Sequence, residues 1–169
     1  GVLTLFGALI LTQPLWLAPF LRLPQRSHQL LFLFFSVTLT FVTLFPLAQG
    51  PSDWNLRVQT SSISQWVEHA LITGTYPLLP WVVFASFGAW IGAQKGDERT
   101  FPHKPLPLSF VGGGLACCVF SLVYAQSSGL AWAAPTGVAL LTFFPANGPF
   151  LIAGLTGVAL VWLILQNLP

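Results

Sequence analysis

The chain has 169 residues, 54% of them hydrophobic and 6% charged, with a formal net charge of +2 and a mean hydropathy of +0.77. A soluble domain carries about 25% charged residues because its surface faces water; six basic and four acidic side chains cannot solvate a globule of this length, so lipid is the expected solvent. The small, dispersed charge excludes nucleic-acid binding, and the adjacent Cys117 and Cys118 lack any CxxC or Cys/His spacing and read as small packing residues.

Five apolar stretches of roughly 20 residues each match the length a helix needs to cross a bilayer. The first, Gly1–Leu21, carries Pro14 and is closed by Pro19, so it is expected to bend or end there. The second, His28–Ala48, is a continuous Leu/Phe/Val run. The connection that follows contains "SISQWVEHALITG", in which Ile63, Trp66, Val67, Ala70 and Leu71 share one helical face opposite Ser64, Gln65, Glu68 and His69. That pattern predicts a short amphipathic helix on the membrane interface, anchored by Trp66 and ended by Gly74.

The third stretch, Tyr76–Gln94, opens on "YPLLPW" and runs into the charged segment Lys95–Lys104. The fourth is Leu108–Tyr124, with "FVGGGLACC" inside it; no strand precedes those glycines and no Lys-Ser/Thr follows, so they read as a close helix–helix approach rather than a phosphate loop. Gly88 with Gly92, and Gly154 with Gly157, read the same way. The fifth is Gly148–Leu168. Between the last two, Leu130–Phe144 is apolar but short and interrupted by Pro135, which leaves a re-entrant or tilted sixth helix as the alternative. Period-two alternation is absent, so helices rather than a barrel are expected. The predicted fold is an all-α integral membrane bundle of about five transmembrane helices plus the interfacial helix, a single domain over 1–169. A start at Gly and the absence of Met suggest a fragment of a longer membrane protein.

Arg22 and Arg26 lie in the first connection and Lys95, Arg99 and Lys104 in the third, against Arg57 alone in the second. The positive-inside rule therefore places loops 22–27 and 95–107 on the cytoplasmic side and loops 49–75 and 125–147 opposite, in a bacterial inner or an organellar membrane.

Every Asp, Glu, Lys, Arg and His falls at an end of a stretch or in a connection. That argues against an independent ion pump or proton-coupled carrier. Glu68 and His69 are the available acid/base candidates, but adjacent helical residues point roughly 100° apart, and a solvated polar face is the competing reading. Asp53 and Arg57, four residues apart, are expected to form an ion pair or a helix cap. The basic residues of 95–104 read as a solvated loop, with contact to an anionic cofactor or to lipid headgroups as the alternative.

The order of parts in Gly74–Arg99 now carries weight. A polar segment leads to "YPLLPW", then "VVFASFGAWIG", then a charged turn; this resembles the Tyr/Phe-Pro-Leu-x-Pro-Trp opening and Gly-xxx-Gly close of a span in the heparan-alpha-glucosaminide N-acetyltransferase-like membrane proteins, which are multi-pass acyltransferases. "GVLTLFGALIL" is similar to that family's Gly-Val/Ile-Leu-Gln-Arg-Ile/Leu-Gly span, with Thr4-Leu5 in place of Gln-Arg, and "FFPANGPFLIAGLTGVALVWLILQ" resembles its Tyr/Phe-Pro-x-x-x-x-Phe/Tyr-Leu span. The resemblance implies transfer of an acyl group from a cytoplasmic thioester donor, acetyl-CoA, to a sugar-like acceptor. The family's Asp-x-x-Arg-Gly signature and transfer-associated His are not matched by His28, His69 or His103, so this chain is expected to supply walls of the cavity rather than its catalytic centre. Tyr76, Trp81 and Asn147 are the expected cavity-facing groups, with interfacial anchors and a helix N-cap as the competing roles. Besides the lipid bilayer, the partners expected are other membrane helices of the same protein or of a complex. A non-catalytic membrane subunit and, third, a small-molecule transporter are the alternative functions.

Overall fold

The computed structural model describes residues 1–93 and 105–167, with side chains for all of these but 105–107. The elements in chain order are α1 Val2–Leu11, α2 Gln13–Trp16, α3 Ala18–Arg22, α4 Ser27–Leu44, α5 Trp54–Val58, α6 Ile63–Glu68, α7 Leu78–Gly92, α8 Pro105–Ser128, β1 Ala131–Ala134, β2 Ala139–Thr142 and α9 Gly148–Gln166. The protein is thus mostly helical. By length and composition α4 (with the preceding turn from Pro24), α8 and α9 can each cross a membrane. A fourth unit would be α7 together with Ile63–Thr73, two helices bent by 50°.

The first apolar stretch departs from a single straight helix. Its α1 spans 10 residues, about 15 Å at 1.5 Å per residue, which is half a hydrocarbon core. Pro14 and Pro19 each stand in the first turn of a new short helix, where a missing N–H costs least. The Trp16 indole N–H donates to the Leu9 carbonyl at 2.9 Å, tying α2 back over α1. Phe20, fully buried, stacks on Phe34 of α4 at 5.8 Å.

The amphipathic helix forms as α6. Ser62 caps it, its hydroxyl accepting from the Gln65 N–H at 3.2 Å, and a single π turn, His69–Thr73, extends it. Ile63, Trp66, Val67 and Leu71 remain exposed together while Ala70 is buried. Gly74 ends the turn: its N–H donates to the His69 carbonyl at 3.0 Å, and a Cβ there would overlap that same carbonyl.

The connection between α8 and α9 is where a sixth helix was the alternative. It holds β1 and β2 instead, paired in parallel with Ala131 opposite Ala139 and Ala134 opposite Thr142. Gly137, at φ +89, supplies the turn that only glycine adopts readily. Pro135, which cannot donate to a helical ladder, and the positive-φ glycines Gly129 and Gly137 on either side of it account for the break.

α4 packs on α7, and α8 on α9. One core, Phe20, Phe87, Trp90, Ile91, Val111 and Ala159, fills the end of the bundle where α4 starts and α7 finishes. A second, Val42, Val83 and Leu151, fills the opposite end. Close approach of α8 to α9 depends on Gly114, whose absent side chain is replaced by the Thr156 hydroxyl. The segments joining α4 to α7 and α8 to α9 meet at one end of the bundle, where Trp54 contacts Phe144 at 5.3 Å.

Candidate functional site

Arg57 organises that end. It sits in α5, whose N-terminus is capped by Asp53 accepting from the Asn55 and Leu56 N–H groups at 2.7 and 3.4 Å. Of the two roles expected for Asp53 and Arg57, an ion pair or a cap, the structure takes the cap: Arg57 turns inward and is 4% exposed. Its Nη1 donates to the carbonyls of Thr73 and Gly74 at 3.2 and 2.8 Å, Nη2 to Gly50 at 3.3 Å, and Nε to Pro51. Its charge lies over the Phe144 ring, 5.4 Å from the centroid, a favourable cation–π placement. Burial pushes the guanidinium below its ordinary pKa, because the charged form gives up water for carbonyl dipoles. The planar fork is what lets one side chain bind loop 50–51 and turn 73–74 at once.

Beneath Arg57 lies an aromatic cluster. Tyr76 meets Trp81 at 5.5 Å, Phe143 at 5.8 Å and Phe144 at 6.5 Å. Trp81 meets Phe143 at 4.9 Å, Phe84 at 5.7 Å and Phe150 at 6.0 Å. Most of these pairs are tilted or edge-to-face, the arrangement that the ring quadrupoles favour. Tyr76 and Trp81 are each half-buried, so the cluster keeps faces available at its rim.

Asn147 joins the same end through its backbone-binding role. Its Oδ1 accepts from Phe150 N–H at 3.0 Å, capping α9, and from Thr142 N–H at 3.3 Å, while its Nδ2 donates to the Leu140 carbonyl at 2.8 Å. It therefore fixes β2 and α9 against one another, and through them Phe143 and Phe150.

Glu68 and His69 are placed differently. Glu68 is exposed on α6. His69 Nδ1 lies 2.8 Å from the Arg57 carbonyl, which requires that nitrogen to be the donor. His69 is thereby bound to the outer side of the Arg57 node, and its hydrogen bond is to backbone rather than to Glu68. Lys95, Asp97, Glu98, Arg99, His103 and Lys104, read above as a solvated or anion-binding loop, lie outside the described residues. Among the described residues no group of three His, Cys, Asp or Glu side chains could hold a metal.

A separate cavity of about 300 Å³ lies toward the other end, between α4, α7, α8 and α9. His28, Trp90 and Ser109 stand at one end of it, and the rest of the wall is almost wholly apolar.

The Arg57 node was not legible beforehand, because four of its partners are backbone atoms that no residue pattern marks. The available signal was a lone arginine in an otherwise nearly uncharged connection flanked by Gly50 and Gly74. No protein-family model matches the chain, and no curated protein or solved structure matches it either.

Proposed function

We propose that this chain is part of a multi-pass membrane protein that passes an acyl group from a cytoplasmic thioester to a sugar-like acceptor, and that it forms the acceptor-side wall rather than the catalytic centre. The observation that carries the reading is the convergence of two of the three stretches that resemble the acyltransferases. Tyr76 and Trp81 come from "YPLLPW" and Phe143, Phe144 and Phe150 from "FFPANGPF", and they form one cluster of ring contacts. A half-exposed aromatic rim suits the apolar face of a pyranose. In this reading α4, α8 and α9 cross the bilayer, α7 makes a fourth crossing with α6 lying along the interface before it, and the broken α1–α3 unit makes a fifth. Loops 22–27 and 95–107 face the cytoplasm and loops 49–75 and 125–147 face the opposite side. Among the described residues the wall of the 300 Å³ cavity carries no Lys or Arg.

The test uses the full-length protein in nanodiscs with labelled acetyl-CoA and a glucosaminide acceptor. Trp81→Ala raises the acceptor KM at least tenfold, about 1.4 kcal/mol, and leaves the donor KM unchanged. An unchanged acceptor KM removes the acceptor-wall assignment. Absence of transfer by the wild-type protein, or a full gene without the Asp-x-x-Arg-Gly segment and its associated His, removes the enzyme reading.

A non-catalytic subunit is the second reading, favoured by Gly88 and Gly92. Both are exposed on α7, and a Cβ at either meets nothing within 4 Å, so a flat face is open to another helix. Purification from native membranes without a stoichiometric companion removes it.

A further inference from the structure

We infer that the cavity between α4, α7, α8 and α9 is a binding site for a single acyl chain of a bilayer phospholipid. Its volume of about 300 Å³ lies at the lower end of the range of ligand sites and is far too small to admit a helix, whose diameter with side chains is about 10–12 Å. Its depth follows from the lining residues. On α4 they run from His28 to Phe35 and on α8 from Ser109 to Cys117, about 10–12 Å at 1.5 Å rise per residue. That length holds a zigzag of roughly eight to ten carbon–carbon bonds of about 1.5 Å each. The occupant is thus long, thin and apolar.

The polarity of the wall sets its direction. His28, Trp90 and Ser109 gather at one end, where the His28 and Trp90 rings meet edge-on at 5.5 Å. The deeper wall is Leu31, Phe35, Ile152 and Leu155. We place its opening between α4 and α8, because they pack on α7 and α9 rather than on one another, with the Phe32 and Phe110 rings meeting across the seam at 6.1 Å. Both rings are exposed, and they continue into the outward apolar faces of α4 (Leu33, Val37) and α8 (Leu115, Val119). A chain already in the surrounding hydrocarbon reaches the cavity through this seam without crossing water, whereas a free aqueous ligand does not.

The inference rests only on membrane insertion, not on acyl transfer. Its test uses the full-length protein in phosphatidylcholine nanodiscs containing a trace of phospholipid with a mid-chain diazirine. Photolabel mapped by mass spectrometry is expected on the peptides bearing Leu31, Phe35, Cys117 and Ile152. Gly113→Leu fills the cavity, because a Cβ at Gly113 meets nothing within 4 Å and the residue lines the wall; labelling there is expected to fall at least fivefold. Gly112→Leu, on the same helix, equally open but outside the wall, leaves labelling unchanged. Label spread evenly over the outward faces, or equal labelling in Gly113→Leu and wild type, overturns the site. Labelling by a diazirine fatty acid but not by the phospholipid probe also overturns it as stated. Extraction of the protein from membranes by alkaline carbonate instead removes the membrane reading itself, so the two failures are distinguishable.

Discussion

Removing the Arg57 side chain tests the central structural claim. Arg57→Ala deletes one charged donor that serves four carbonyls, those of Gly50, Pro51, Thr73 and Gly74. The bonds to Thr73 and Gly74 are fully buried and those to Gly50 and Pro51 partly so, so water recovers the second pair but not readily the first. Two orphaned buried acceptors at about 1–3 kcal/mol each give a gross loss of about 2–6 kcal/mol. Relief of the buried cation's desolvation offsets part of this, which leaves a net loss of about 2–4 kcal/mol. Arg57→Met keeps the apolar stem and separates hydrogen bonding from packing; it is expected to lose nearly as much. Arg57→Lys restores the charge but not the planar fork and recovers less than half. The assay is unfolding in mixed micelles by increasing SDS fraction, followed by the fluorescence of the Trp54 and Trp81 environment. The pH dependence has a defined sign. The depressed folded pKa means that the burial penalty is carried at every pH below it and is relieved only above it, and arginine stays protonated throughout the accessible range. The Arg57 contribution is therefore flat from about pH 5 to 9. Arg57→Ala and Arg57→Met both within about 0.5 kcal/mol of wild type, the range of ordinary surface changes, would refute a buried node.

Gly114→Ala places a methyl group on the Thr156 hydroxyl and is expected to cost about 1–3 kcal/mol by overpacking; adding Thr156→Ala restores most of it, and strictly additive losses in a thermal-stability cycle contradict the close approach. Gly112→Ala, where a Cβ meets nothing within 4 Å, is the neutral control. Asn147→Ala removes the α9 cap together with the Leu140 bond and costs about 1–3 kcal/mol, whereas Asn147→Asp keeps the cap and falls between; equal stability of all three proteins denies Asn147 its joining role. On the proposed acyl-transfer reading, Glu68→Gln leaves transfer by the full-length protein unchanged, since Glu68 is exposed and His69 is engaged by the Arg57 carbonyl; a tenfold loss of kcat restores an acid/base role. In a background with Cys117→Ala and Cys118→Ala, cysteines at Ser61 and Lys95 react with an impermeant maleimide from opposite faces of sealed vesicles, and labelling from one face abandons the proposed orientation.

Much of this architecture follows from periodicity and composition. Continuous apolar runs dictate α4, α8 and α9, and the i, i+3, i+4 pattern of Ile63, Trp66, Val67, Ala70 and Leu71 dictates α6, because helix geometry converts spacing directly into a face. Turn chemistry is equally local: Gly74 stops α6, Asn147 starts α9, and Asp53 caps α5. The same locality has limits. The effect of Pro14 and Pro19 on the first stretch was visible as a bend, but whether the pieces stay collinear depends on what they pack against; here Phe20 is anchored by Phe34 and Trp16 by the Leu9 carbonyl.

The lipid-like chemistry of the chain, its helical character and the residues that punctuate it were decided by the order of amino acids alone, since hydropathy and capping act over a few residues. The joining of Tyr76 and Trp81 to Phe143 and Phe150, the inward turn of Arg57 toward four carbonyls, and the cavity beside Gly113 were decided by tertiary structure. Those features depend on segments up to about 130 residues apart in the chain meeting through backbone groups and ring faces, which every residue type of that kind offers equally until the fold selects the partner.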